Sequence, residues 1–385
     1  MHLTFTIKII ILPGIYLHIP FCKKACHYCN FHFSTRLNRK EQMIEALVAE
    51  INQRHTYLDE VVIDSIYFGG GTPSLLTSQE INVLLNHLKN YFDLAADAEI
   101  TLEANPDDLS VDYLQALRST AINRLSIGVQ SFDEEDLQFM NRAHSAKEAL
   151  DCIHNAQKEG FQNLTIDLIY GAPTTSHQKW KTNLQQAFDL GVRHLSCYAL
   201  TVEPKTALEY KIKKGLVPAV EDEHSAQQFE ILLQMMQANG YEQYEISNFC
   251  KPSFYAKHNR SYWQGIAYLG LGPSAHSFDG VSRQWNRANN EQYIQQVKAS
   301  ELYWEKEILS LADQYNEYIM TALRTKWGVQ KSILHQRFAA QTTAFEMLAQ
   351  AYIQEGGMHL SNHSYTLTAS GKLLADSIIS DFFID

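Results

Sequence analysis

Six short β-rich runs alternate with longer stretches of helical periodicity through the first half of this 385-residue chain, and that rhythm constrains the fold most. The runs are Ile15–Ile19, Val62–Phe68, Ile100–Glu103, Arg124–Val129, Leu164–Tyr170 and His194–Leu200. Between them Ile44, Leu47, Val48 and Ile51 recur at helix-face spacing, as do Leu84, Leu85 and Leu88. Hydroxyl–glutamate pairs at Thr77 and Glu80, Ser131 and Glu134, and Ser145 and Glu148 read as capping boxes that start three helices. A helical crossover carries the chain back to the end of the sheet where it began, so strands joined this way lie parallel. Six such units form an open doubly wound sheet or part of a barrel, and periodicity does not choose between them.

The first run leads into Cys22, Cys26 and Cys29, a C-x3-C-x2-C cluster within eight residues. Thiolates suit iron–sulfur clusters or zinc. Structural zinc closes a shell of four ligands, which three cysteines leave incomplete. On a four-iron cluster the same three leave one iron open to a small molecule. The alternatives are zinc completed by His18, His27 or His32, and three unrelated thiols. The other cysteines, Cys152, Cys197 and Cys250, are scattered and form no disulfide framework, which fits a reducing, cytoplasmic setting.

The second run ends in Gly69-Gly-Gly-Thr-Pro73, and glycines at the C-terminal edge of a strand let a ligand approach bare backbone. No Gly-Lys-Ser/Thr follows, so this is not a P-loop. Polar residues recur at later strand ends: Glu103, Gln130 and Asp167. A charge within an apolar strand is costly unless it is paired or faces a cavity. A salt bridge to a helix would satisfy any one of them, whereas several on successive strands favour a shared site.

Taken together, the cysteine cluster and the glycine motif resemble the radical S-adenosylmethionine (SAM) superfamily, which implies a partial (β/α)6 TIM-like barrel and a SAM-coordinating 4Fe–4S cluster on Cys22, Cys26 and Cys29. A narrower resemblance, to the oxygen-independent coproporphyrinogen oxidase group, rests on Tyr16-x-His-Ile-Pro-Phe-Cys22, the glycine motif, Leu125-Ser-Ile-Gly-Val-Gln-Ser131, Asp167-Leu-Ile-Tyr-Gly171 and Leu269-Gly-Leu-Gly-Pro-Ser-Ala-His-Ser277. It spans about Gly14 almost to the C-terminus. It implies SAM contacts at Tyr16, Gly71, Thr72, Glu103, Gln130, Arg142, Asp167 and Ala199, with Arg142 on the SAM carboxylate. The dehydrogenase of that group has a fourth cysteine where this chain has Phe31. Its haem-chaperone subfamily lacks that cysteine and carries His-Asn-x-x-Tyr-Trp, here His258-Asn-Arg-Ser-Tyr-Trp263. The resemblance thus implies a protein that binds haem as cargo and transfers it to apo-haemoproteins, with oxidative decarboxylation of coproporphyrinogen III as the enzymatic alternative. Imidazole ligates haem iron and aromatic faces cover porphyrin, which makes His258, Tyr262 and Trp263 candidate haem contacts; the bland reading is a capped turn and core packing. His276, Cys250 and His18 are rival iron ligands. Three positions depart from the family's expected pattern, Cys250, Lys257 and Lys205, the last standing where glycine is expected.

Beyond residue 205 the βα rhythm lapses. The chain divides into an N-terminal extension (1–13), the barrel core (14–205), a connecting aromatic-rich segment (206–305) with a helix over 221–240, and a mostly helical C-terminal domain (306–385). Two short runs, Met358–Leu360 and Tyr365–Leu367, give that last domain a winged-helix look. From Ala340 onward its only Lys or Arg is Lys372, against five acids, which is poor material for gripping phosphates. With 32 basic and 43 acidic residues and a net charge of −11, the chain is not expected to bind nucleic acid, and a radical SAM enzyme acting on tRNA is disfavoured. The apolar run Ile9–Leu12 is too short to span a membrane and no cleavage site follows it. Partners to expect are haem, apo-haemoproteins such as respiratory-chain components, a second copy of the chain, and a peripheral membrane contact.

Overall fold

The computed structural model describes residues 12–58 and 61–385, so nearly all of the N-terminal extension lies outside it. Strands β1 (Gly14–Ile19), β2 (Ile63–Gly70), β3 (Leu94–Ala104), β4 (Arg124–Gln130), β5 (Leu164–Tyr170) and β6 (His194–Ala199) pair in that order, all parallel. They form the partial barrel. Side chains alternate along each strand: Ile15, Leu17 and Ile19 of β1 are fully buried, leaving Tyr16 and His18 on the opposite, lumen face. The helix Lys40–Arg54 adds Met43, Ala46, Leu47 and Ile51 to the same core.

Three details differ from expectation, each for a local reason. β3 begins six residues early, because Leu94-Ala-Ala-Asp-Ala-Glu99 is too polar to read as a strand, yet it pairs with β2 across a register shift. The capping boxes at Thr77 and Ser145 form, but the helix Glu134–Phe139 is capped by Asp133, whose carboxylate accepts from the N–H groups of Glu135 and Asp136. Ser131 instead donates to Asp136 at 2.9 Å; an aspartate two residues on is an equally good cap. Lys205 adopts φ +64°, a left-handed conformation that glycine takes at no cost and a lysine pays for in strain.

The connecting segment belongs to the barrel. β7 (Glu242–Gln243) and β8 (Asn248–Cys250) run antiparallel on the β6 edge, while β9 (Tyr268–Leu271) joins β1 in parallel. β10 (His276–Phe278), β11 (Ser282–Asn286) and β12 (Trp304–Ile308) then extend that second edge antiparallel, giving a twelve-stranded sheet. The chain therefore crosses from one sheet edge to the other, and the helix Lys257–Trp263 lies on the crossing, at the N-terminal ends of β1 and β2. One core spans Ile15 to Tyr303. A second, including Tyr315, Ile319, Phe338, Phe345 and Phe382, belongs to the C-terminal domain, where the helices Leu311–Leu323, Lys331–Arg337 and Ala339–Gln354 pack on β13 (Val329–Gln330), β14 (Met358–Leu360) and β15 (Ser364–Leu367). Polar contacts tie it to the β7–β8 edge: Lys372 donates to Gln243 at 2.7 Å, and the Lys326 N–H donates to the Tyr244 carbonyl at 3.0 Å.

Candidate functional site

The loop after β1 carries the three cysteines, and the loop after β2 holds it down. Gly71 N–H donates to the Ile19 carbonyl at 2.9 Å and Thr72 N–H to the Phe21 carbonyl at 2.6 Å. A Cβ at Gly71 would come within 2.6 Å of the Phe21 carbonyl oxygen, so only glycine permits the approach. Gly70 has φ +107°, and a Cβ there would strike the His18 ring. The glycine motif thus seats the cysteine loop on the barrel rim.

Two sulfurs meet hydrogen-bond donors. Thr72 Oγ1 donates to Cys22 Sγ at 3.3 Å, and Arg142 Nη1 to Cys26 Sγ at 3.2 Å. The histidines that a zinc site would need are engaged elsewhere: His18 Nε2 on the His32 carbonyl at 2.9 Å, His27 Nδ1 on the Phe139 carbonyl at 2.8 Å, and His32 Nε2 on Asn290 at 2.7 Å. Among the described residues no three metal-ligating side chains gather about the position of a single ion. A cluster makes no such demand, because each of its thiolates holds a different iron.

Below the rim, Tyr16, Glu103 and Asp167 converge with Tyr67, His258 and Tyr262 on a polar cavity of about 230 Å³ inside the barrel. Glu103 Oε1 accepts from Tyr67 Oη at 2.7 Å and Oε2 from the Gly70 N–H at 3.2 Å. Burial, opposed by these hydrogen bonds and reinforced by Asp167, raises the Glu103 carboxyl to about 7; burial likewise brings Asp167 to about 6. Two acids held near neutrality in one cavity are suited to receive a cation. Gln130 ends β4 at φ +68°, beside a break in the β4–β5 register that re-aims its side chain toward Gly128. Arg142 Nη2 donates to the Gly128 carbonyl and to Asn105 Oδ1, both at 2.7 Å, while its Nε is buried without a partner. Ala199 is exposed at the end of β6.

The segment expected to touch haem is employed by the barrel floor. His258 is 3% exposed, with Nδ1 hydrogen-bonded to Ser65 Oγ and Nε2 to Tyr262 Oη, both at 2.8 Å. Its ring stacks on Tyr67 with centroids 5.1 Å apart, and a Cβ at Gly14 would crowd it. Tyr262 meets Tyr268 edge-on at 4.6 Å, and the Trp263 Nε1 is buried without a partner. Neither imidazole nitrogen is free to ligate iron in this arrangement, and burial pushes His258 down to about 3. Of the rival ligands, Cys250 is fully buried and His18 is nearly so, whereas His276 is exposed on β10.

The family model of the radical SAM superfamily matches residues 16–187, and that of the HemN C-terminal domain matches 309–374. The heme chaperone HemW of Bacillus subtilis is 31% identical over 96% of this chain and 99% of its own length. HemW of Mycobacterium tuberculosis is 33% identical over 95% of this chain and 93% of its own. The chain belongs to the HemW family. A mitochondrial relative from Bos taurus, radical S-adenosyl methionine domain-containing protein 1, is 32% identical over 95% of this chain and 86% of its own. Among solved structures, the coproporphyrinogen III oxidase of Escherichia coli, described as a radical SAM enzyme, superimposes with a TM-score of 0.83 at 26% identity, over 96% of this chain and 90% of that one. In this member of the HemW family, sequence reasoning missed Tyr67, Ser65 and Asn105. Tyr67 had a usable signal, since it lies one turn of alternation from the glycine motif; Ser65 and Asn105 had none beyond their position on β2 and just after β3.

Proposed function

We propose that this protein is a haem chaperone carrying a SAM-coordinating 4Fe–4S cluster. It holds haem and passes it to apo-haemoproteins. The observation that carries the reading is end-to-end similarity to HemW relatives through both the barrel and the C-terminal domain. Cys22, Cys26 and Cys29 hold the cluster, on a loop pinned by the glycine motif and with donors already on two of the sulfurs. Tyr16, Gly71, Thr72, Glu103, Gln130, Arg142, Asp167 and Ala199 hold SAM: Glu103 and Asp167 receive its cationic and hydroxyl groups, and the Arg142 guanidinium its carboxylate. When bound, the cluster supplies an open iron for SAM and an electron for its cleavage. Among the described residues no helix is long and apolar enough to cross a membrane.

The likeness to the E. coli oxidase favours a second reading, decarboxylation of coproporphyrinogen III by radical chemistry. Against it, Phe31, 70% exposed, stands where that resemblance calls for a fourth cysteine. Reconstituted protein incubated with coproporphyrinogen III, SAM and reductant, and titrated separately with haem, decides between them. Tight haem uptake without product is expected, and protoporphyrinogen formation would overturn the chaperone reading. Cys26→Ser should lose most cluster iron; a full cluster in that variant, or stoichiometric zinc in the native protein, would sink the cluster assignment.

A further inference from the structure

Just past β3, Asn105 stands between two groups that donate to cluster cysteines, and its chemistry decides which way one of them points. Its Oδ1 accepts from Arg142 Nη2 at 2.7 Å and its Nδ2 donates to Thr72 Oγ1 at 3.2 Å. A guanidinium only donates, so the amide oxygen faces Arg142 and the amide nitrogen faces Thr72. The threonine hydroxyl has one proton. With its oxygen accepting from Asn105, that proton is directed to Cys22 Sγ, 3.3 Å away. Arg142 reaches Cys26 Sγ at 3.2 Å through its other terminal nitrogen. Asn105 is itself held, its N–H donating to Ser74 Oγ at 3.2 Å while Ser74 donates to Asp108 at 2.6 Å. One hydrogen-bonded chain therefore runs Cys22, Thr72, Asn105, Arg142, Cys26, and its middle member touches neither sulfur.

We propose that Asn105 is a positioning residue for the iron–sulfur cluster: it orients the Thr72 hydroxyl toward Cys22 and the Arg142 guanidinium toward Cys26. The inference rests on the cluster reading above and adds a residue to it. Hydrogen bonds to the sulfurs stabilise the extra negative charge of the reduced cluster and so raise its potential. An ionised aspartate in place of Asn105 keeps the shape but only accepts. The Thr72 proton then turns from the sulfur to the carboxylate, and the bond to Cys22 is lost.

Wild type, N105D, N105A, T72V and N105D/T72V are melted as purified, reconstituted anaerobically, assayed for iron and sulfide, and titrated for the midpoint potential of the cluster. N105D and T72V should melt near wild type, keep most of their iron, and both shift the potential to more negative values. The double variant should shift it by less than the sum of the two, because Asn105 acts through Thr72. An unchanged potential in folded, iron-loaded N105D overturns the proposal, as does full additivity. Where N105D fails to load iron, N105A decides: a negative shift supports the role and an unchanged potential overturns it. A wild type that binds no iron, or binds zinc, overturns the cluster reading and this inference with it, whereas an unaffected N105D beside a loaded wild type overturns this inference alone.

Discussion

Glu103 shows how far a single side chain depends on its surroundings. In water its carboxylate would be ionised at any physiological pH. In the barrel, burial outweighs the hydrogen bonds from Tyr67 and Gly70 and raises it to about 7. A folded-state pKa above the unfolded one means that this group favours folding at low pH. That contribution is fully present below the ordinary carboxylate range and is lost as pH rises toward about 7. Binding of a cation works in the opposite direction, because the ionised form is the one that attracts it. SAM affinity, measured calorimetrically on reconstituted protein, should therefore strengthen from pH 6 to 8 with proton release, by up to roughly tenfold per unit below the pKa. Glu103→Gln should shrink the pH step to what Asp167, raised to about 6, contributes, and weaken binding by about 1.5–3 kcal/mol, the worth of a hydrogen bond to a charged group. A pH-independent affinity in wild type would show that this carboxyl does not face the ligand.

Elements add a constraint that no residue carries alone. The helix Lys257–Trp263 has only seven residues and no side-chain N-cap, so it is not stable by itself. It stays in place because Lys257 pairs with Asp64 and Asp97 at 2.8 Å, the His258 N–H donates to Glu99 at 3.1 Å, and the imidazole bridges Ser65 and Tyr262. His258→Ala removes two buried hydrogen bonds and a stacked ring. It should cost about 2–5 kcal/mol and lower the melting temperature by several degrees. Haem uptake by the protein that remains folded should be unchanged; a lost or shifted Soret band at equal folding would return His258 to the haem site. At the far edge of the sheet, β12 alternates Glu305, Lys306 and Glu307 on an exposed strand, the charge pattern that discourages edge-to-edge aggregation.

At the scale of the molecule the barrel and the C-terminal domain each have a large core of their own, and they meet at the β7–β8 edge through polar contacts, including Lys326 with Glu242 and Lys372 with Gln243, and through Ile246 and the rings of Tyr244 and Trp327. Calorimetry should resolve two unfolding transitions, of which SAM raises only the one belonging to the barrel. A single transition that moves as a whole would show that this seam couples the cores. The division also marks what local pattern could reveal. The six parallel strands, their C-terminal ends and the thiol loop were legible in the sequence, because alternation, helical spacing and C-x3-C-x2-C spacing are properties of neighbouring residues; that the strands curve into a partial barrel rather than an open sheet was implied only by the family resemblance. β7 to β12 were not legible as part of this sheet, because most are too short to show a period and the two pairings that join them to it, β8 with β6 and β9 with β1, link segments far apart in the chain. The role of His258 needed tertiary structure for the same reason: an imidazole beside tyrosine and tryptophan suits haem and a buried plug equally well. Only the distances to Ser65 on β2 and to Tyr262 show that both of its nitrogens are already taken, since hydrogen-bond saturation depends on where the fold brings distant groups and leaves no mark on the order of residues.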